Sequence, residues 1–488
     1  MIVLDHTFNG ISEDIMQNFK MVINGHSPAT EESFGVVNPA TGKIFATCQK
    51  GNEDSVNHAV LAARAAFPRW AATPNDEKKA KIHALAAALE ENMPELMELV
   101  TKENGKPMGG LNSVGSGMEV GGSAAWTHYN AELELPIDII QDNDEARIEV
   151  HRKPLGVVAS ITPWNWPLMI AIWHIIPALR SGNTVVIKPS PTTPLATIRF
   201  VELANKILPA GVLNVVTGDS DVGEALTNHP DVNKIIFTGS TATGKSIMRA
   251  AAGNLKRMTL ELGGNDAGII LPDVNVKQMA EKIFGVCFHN NGQTCACLKR
   301  LYVHESIYDE MCDELTMLAE KVVVGNGLEE GVELGPVQNK KQLDIVTELA
   351  EDAKASGGRF LCGGNVMPGD GYFFEPTIVA DLTDGSRLVD EEPFGPILPI
   401  IKYSDIEEVV TRANKNDSGL GGSVWSSNPA KASEIAQRLE CGTAWVNDHG
   451  AIQPDAPFGG IKQSGFGVEF GLYGLEEYTS IQTVKIAK

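Results

Sequence analysis

VVASI (157–161), TVVIKP (184–189), VLNVVTG (212–218), KIIFTG (234–239) and MTLEL (258–262) are short apolar runs rich in β-branched residues. Between them, near 166–180, 193–207, 222–228 and 243–252, lie stretches with the apolar spacing of helices. β-Branched side chains fit a pleated surface, and a 3.6-residue period marks a helix face. Alternation of the two predicts a parallel sheet with crossover helices, a doubly wound layout suited to nucleotides. A second alternating region follows Gly264: AGIIL (267–271), a helix over 276–290, then LKRLYVH (298–304). It reads as a second α/β domain.

Upstream, 55–67 and 76–104 have helical spacing, with Pro94 opening a new helix and Asn92 as its cap. RIEVHRKP (147–154) reads as a strand, and the Gly- and Pro-rich stretch 363–376 as a surface loop.

At 488 residues the chain has length for two to four domains and a large core. Its formal net charge of -22 argues against nucleic acid and against an anionic membrane surface, since both demand clustered Lys and Arg. An anionic cofactor must be held by local groups. Seven cysteines, an odd number at irregular spacing, read as reduced thiols of a cytoplasmic protein. MIVLDHTFNG at the N-terminus lacks the basic and apolar regions of a signal peptide. The longest apolar candidate for a membrane span, 167–179, is too short and contains His174.

Several segments carry chemistry. Gly239-Ser240-Thr241-Ala242-Thr243-Gly244-Lys245-Ser246 fits the phosphate-loop string G-x-x-x-x-G-K-S, after a strand and before a helix. An NTP triphosphate, a dinucleotide pyrophosphate and a plain tight turn all remain compatible with it. Gly292-Gln293-Thr294-Cys295 follows a helix. Cys295 reads either as a nucleophile or as a buried thiol, and the closeness of Cys287, His289 and Cys297 adds a metal reading. Glu261-Leu262-Gly263-Gly264-Asn265 puts a carboxylate at a strand end, where doubly wound sheets carry ligands, or is simply a turn. In Thr162-Pro163-Trp164-Asn165-Trp166-Pro167, Asn165 reads as a helix cap or as an oxyanion donor. Glu391-Glu392-Pro393-Phe394-Gly395-Pro396 is a loop of two acids, an aromatic and turn residues.

With TPWNWP, KPS (188–190), FTGSTATGK (237–245), ELGGN, GQTC, EEPFGP and PFGGIKQSG (457–465) in this order, the chain resembles the aldehyde dehydrogenase superfamily. The resemblance implies two doubly wound, Rossmann-like α/β domains and a small β bridging element. A dinucleotide-binding domain would span 1–131 and 155–263, and a catalytic domain 264–463. Segments 132–154 and 464–488 would serve oligomerisation, as a homodimer or homotetramer. Cys295 would be the nucleophile, Asn165 an oxyanion donor and Glu261 the general base. NAD or NADP would lie against Ile161, Thr162, Pro163, Trp164, Lys188, Ser190, Pro191, Gly223, Phe237, Ser240, Leu262, Glu392 and Phe394. Trp166, Ile170, Trp173 and Phe458 would line a substrate tunnel, and no metal is implied. The phosphate-loop match is then a string such relatives commonly carry beside their dinucleotide.

One departure bears on the cofactor. NAD-preferring relatives often carry Glu three residues after the ribose lysine, where this chain has Pro191. Losing that carboxylate removes a hydrogen-bond acceptor and a repulsion against a 2′-phosphate, so use of both NAD and NADP is expected. The tunnel positions carry no Arg or Lys, so an apolar or aromatic aldehyde is expected. His449 and Asp455 could add selection for a polar group. Cys297 reads as a packing residue, or as a redox guard of Cys295. An NTPase, an esterase-like acyl transferase and a non-catalytic protein are the readings from other classes.

Overall fold

The computed structural model describes residues 17–28 and 30–488, so the N-terminal stretch read for signal-peptide features lies outside the described residues. The five apolar runs become Val157–Ile161, Thr184–Lys188, Leu213–Val215, Lys234–Thr238 and Arg257–Glu261. They pair in parallel in one sheet, with the short strand Gly465–Phe466 added antiparallel to Arg257–Glu261. Four of them are buried at every position. That explains why they read as continuous apolar runs and not as alternating ones. Helices Pro167–Arg180, Leu195–Ala204, Ser220–Asn228 and Thr241–Ala251 follow the strands.

A second sheet runs Arg359–Cys362, Thr377–Ala380, Ile397–Tyr403, Leu298–His304, Asp266–Ile270, Gly421–Trp425, Thr443–Val446. All its pairs are parallel except the first. Each large sheet is flanked by two apolar clusters. Ala146–Pro154, the strand read from RIEVHRKP, forms a third, antiparallel sheet with Asp138–Asp142 and Thr479–Ala487. Among the described residues no helix is long and apolar enough to cross a membrane.

Local expectations needed adjustment at two places. Asn92 sits at the joint between helices Asn75–Glu91 and Met93–Asn104, but its side chain does not cap the second. Its amide donates back to Ala88 O at 2.8 Å. The helix expected over 276–290 ends at Phe288, because Asn290, Asn291 and Gly292 all have positive φ.

The connection Leu262–Asn265 carries the chain directly from one large sheet into the other. The first sheet therefore offers the carboxyl ends of its strands to this junction. The second offers the amino ends of three adjacent strands, Asp266–Ile270, Leu298–His304 and Ile397–Tyr403. ELGGN, GQTC and EEPFGP immediately precede those three strands. Motifs far apart in sequence are thus gathered by sheet order.

Candidate active site

A cleft of about 270 Å³ at this junction is lined by Pro163, Trp164, Asn165, Ser240, Cys295 and Glu392, among others. Glycines set its shape. Gly292 has φ +70°, and a Cβ there would stand 2.3 Å from Gly395 O. No side chain tolerates both, so the sharp turn that delivers Cys295 to the cleft requires glycine. A Cβ on Gly263 would meet Glu392 Oε2 at 2.3 Å, and one on Gly264 would meet Cys295 O at 2.6 Å. ELGGN is the surface against which the other two motifs close.

Cys295 is partly exposed in this cleft. Burial pushes its thiol up to about 12; Lys299 opposes the shift, and Glu392, Glu261 and Asp266 add to it. Cys297 is fully buried and donates to Cys287 O. Among the described residues no group of three or more His, Cys, Asp or Glu is placed to hold a metal ion.

Asn165 is buried, and its side-chain amide donates to Gln293 O at 3.0 Å, two residues before Cys295. One amide N–H is committed there, and the other is left for a ligand. Asn165 does not cap the helix that follows. Glu119 does, its carboxylate accepting from Leu168 N at 2.9 Å and Met169 N at 3.2 Å. The Asn165 carbonyl accepts from Lys106 Nζ, Asn104 Nδ2 and Asn290 Nδ2 at 2.9, 3.3 and 3.0 Å. Trp166 Nε1 donates to Thr294 Oγ1 at 3.0 Å and fastens the same two loops.

Glu261 ends the strand Arg257–Glu261, and neither of its buried carboxyl oxygens has a hydrogen-bond partner. Burial, then the nearby Glu469, holds its carboxyl well above the usual range. Such a group is a stronger base than a solvated carboxylate and is free to receive a proton.

The expected cofactor residues fall on both sides of the junction. Pro163, Trp164, Ser240, Leu262, Glu392 and Phe394 line the cleft, with Trp164 and Phe394 edge to face at 5.3 Å. Lys188 lies farther along the same strand ends, its ammonium held by Pro189 O and Gly218 O. A Cβ on Gly223 would reach Lys188 Cε at 3.4 Å, so these two positions adjoin. Pro191 lines a separate cavity of about 310 Å³ with Asp219 and Lys340. Ile161, Phe237 and Ser190 are buried, Ile161 and Phe237 in the core of the first sheet.

The phosphate-loop string is not a cradle of the NTPase kind. Helix Thr241–Ala251 starts inside it, its glycines have no positive φ, and Lys245 is exposed. A backbone anion nest needs left-handed residues in the loop. Gly244 is a packing position: a Cβ there would meet Leu262 Cδ2 at 2.7 Å.

Beyond Cys295 lies an aromatic cluster of Trp445, Phe458, Phe470, Trp126 and Trp173. Trp166 and Ile170 pack in an adjoining cluster that shares Trp173.

A family description, "Aldehyde dehydrogenase family", matches residues 26–484. The chain is 41% identical to a phenylacetaldehyde dehydrogenase of Pseudomonas fluorescens, covering 96% of each. It is 39% identical to a retinaldehyde dehydrogenase of Rattus norvegicus, covering 96% of this chain and 92% of that one. The structure matches an NAD+ complex of an aldehyde dehydrogenase from Bacillus cereus with a TM-score of 0.93 at 36% identity, covering 96% and 97% of the two chains.

The chain belongs to the aldehyde dehydrogenase family.

Within this aldehyde dehydrogenase, sequence reasoning missed Trp126 and Phe470. Trp126 sits in helix Ser116–Glu132, far from every motif, and Phe470 follows the last one. Their ring centroids lie 6.0 and 4.8 Å from that of Trp173, a packing signal no linear motif carries. Gln342 and Ile345 also line the cleft unannounced. His449, expected to be able to select a polar group, packs its ring 4.9 Å from that of Trp445 in the aromatic cluster. It is buried, with Nδ1 2.9 Å from Ser423 Oγ and Nε2 3.3 Å from Asp266 Oδ2.

Proposed function

We propose that this aldehyde dehydrogenase oxidises an apolar or aromatic aldehyde to its carboxylic acid, with NAD or NADP, through a thioester on Cys295. The observation that carries the reading is the meeting of Cys295 and Asn165 on one cleft, with the unpartnered Glu261 carboxylate, next to the cleft-lining Leu262, near enough to oppose ionisation of the Cys295 thiol. The cleft fits a dinucleotide. Thr162 Oγ1, one residue before the cleft-lining Pro163, is buried without a partner, and the amino end of helix Thr241–Ala251 opens beside Ser240. Ser240 would take the pyrophosphate, Lys188 the adenosine ribose, and Glu392 and Phe394 the nicotinamide end. When bound, the dinucleotide supplies the hydride acceptor.

The chain's own groups do the rest. Cys295 Sγ adds to the aldehyde carbon, and the oxyanion is held by Asn165 Nδ2 and the Cys295 N–H. One such donor is worth roughly 10²–10³ in rate. Glu261 takes a proton from water as that water attacks the thioester, releasing the acid and restoring the thiol. The aromatic cluster receives the organic part of the substrate, consistent with the phenylacetaldehyde named for one relative.

We also infer a cytoplasmic homodimer or homotetramer with the domain division given above. The third sheet supports an oligomer: it exposes Ile139, Ile140 and Ile481, and an open apolar edge invites pairing.

The test is absorbance at 340 nm with a panel of aldehydes and either cofactor, for wild type and Cys295→Ala. Reduced cofactor is expected with wild type alone and most rapidly with arylacetaldehydes. No signal from folded protein that binds the dinucleotide would overturn the reading in favour of an esterase or a non-catalytic role.

A further inference from the structure

Lys299 belongs to none of the motifs, yet it stands between Cys295 and Glu392. Its side chain is 3% exposed. The ammonium donates to Cys295 O at 2.8 Å and to Glu392 Oε1 at 2.6 Å, with Gly264 O at 3.5 Å. It also lies 5.3 Å over the Phe394 ring. A buried ammonium recovers its lost hydration only from such partners. Here they are the backbone of the nucleophile and two side chains that face the cleft. Glu392 in turn accepts from Gly264 N at 3.2 Å, so the three loops that meet at the junction are tied through one lysine.

The charges around Cys295 make this placement consequential. Glu392, Glu261 and Asp266 face the thiol and oppose its ionisation, as does burial. Lys299 is the cation that opposes them. Burial pulls the Lys299 ammonium down, but Glu392, Cys297 and Asp266 outweigh it, so the lysine stays charged at neutral pH. An ammonium has three N–H donors, and each has an acceptor here, so the charge is fixed in place relative to the thiol.

We propose that Lys299 is a positioning residue: it fixes Cys295 against the cofactor-facing carboxylate Glu392 and supplies the positive charge that favours the Cys295 thiolate. The proposal rests on the reading of Cys295 as nucleophile, but its test does not need turnover.

The measurement is the iodoacetamide alkylation rate of Cys295, followed by peptide mass spectrometry across neutral and alkaline pH. The whole enzyme is used without aldehyde or dinucleotide. Lys299→Gln keeps a hydrogen-bond donor and removes the charge. It is expected to slow alkylation at neutral pH by about tenfold, the effect of one pKa unit on the thiolate fraction. Lys299→Arg should stay within about threefold of wild type. If Lys299→Gln folds poorly, Lys299→Gln/Glu392→Gln is compared with Glu392→Gln, so that the lysine's charge is again the sole difference. The same slowing is expected. A difference below about threefold in the comparison made overturns the proposal. Aldehyde oxidation retained by Cys295→Ala would instead overturn the functional reading, whatever the alkylation rates.

Discussion

Lys106 Nζ lies 2.9 Å from the Asn165 carbonyl and 3.5 Å from the centroid of the Trp166 ring. Its salt-bridge partner Glu119 caps the helix that follows those two residues, and both side chains are fully buried. One ion pair therefore holds Asn165, the proposed oxyanion donor, from below. Lys106→Met leaves the Glu119 charge buried without its partner and should cost about 3–5 kcal/mol of stability. Lys106→Met/Glu119→Leu should recover part of that stability, because no lone charge remains. It should not recover kcat, because the Asn165 carbonyl still lacks its strongest donor. Thermal unfolding and steady-state kinetics on the two variants check this. Full recovery of kcat in the double variant would show that the pair supports only the fold.

Glu261 has no hydrogen-bond partner and a carboxyl raised well above its ordinary range by burial and by Glu469. A base works only when deprotonated. Thioester hydrolysis should therefore rise with pH through a limb above the usual carboxylate pKa of about 4.3, and be slow below it. Glu261→Gln should abolish that limb and lower steady-state kcat at least about 100-fold. A rapid burst of reduced cofactor should survive, since acyl-enzyme formation does not need the base. Stopped-flow absorbance separates the two phases. A wild-type steady-state rate in Glu261→Gln would remove Glu261 from the role.

Much of this architecture was legible in the sequence. The strands of the first sheet could be read because burial on both faces imposes continuous β-branched runs, as in Val157–Ile161. Gly292 and Gly263 could be noticed, but not what they make room for, since Gly395 O and Glu392 arrive from a third loop. The meeting of ELGGN, GQTC and EEPFGP depends on which strands are neighbours, and strand order leaves no local trace. Lys299 was invisible for a different reason. A lone lysine in LKRLYVH reads as a solvated strand residue until the fold buries it beside Glu392. Lys106 was hidden in the same way.

The turn at Gly292 gives a direct check on how Cys295, the proposed nucleophile, is placed. Gly292→Ala puts a Cβ at φ +70° and 2.3 Å from Gly395 O. The strained conformation alone costs about 1–3 kcal/mol, and the carbonyl contact forces the loop to shift. Movement of this loop displaces Cys295 from the Asn165 amide, whose anchor is Gln293 O. A positional error near 1 Å can cost about 10² in rate. The expected result is a large fall in kcat with far less change in dinucleotide affinity, measured by fluorescence quenching. Equal losses in both would place the damage in the cofactor-binding half instead.

Pro191 supplies the sharpest test of cofactor choice. It lies beyond Lys188, beside a cavity shared with Asp219 and Lys340. Proline offers no acceptor to a ribose 2′-hydroxyl and no charge against a 2′-phosphate. The kcat/KM values for NAD and NADP should then differ by less than about a thousandfold, or about 4 kcal/mol. Pro191→Glu should widen the gap in favour of NAD, because a carboxylate there repels the phosphate while accepting from the hydroxyl. A widening of about tenfold or more, read mainly in KM for NADP, would fit a direct contact. If wild type already favours NAD by more than about a thousandfold, dual use is wrong. Asp219, which lines the same cavity as Pro191, would then be the first acid to suspect of rejecting the phosphate.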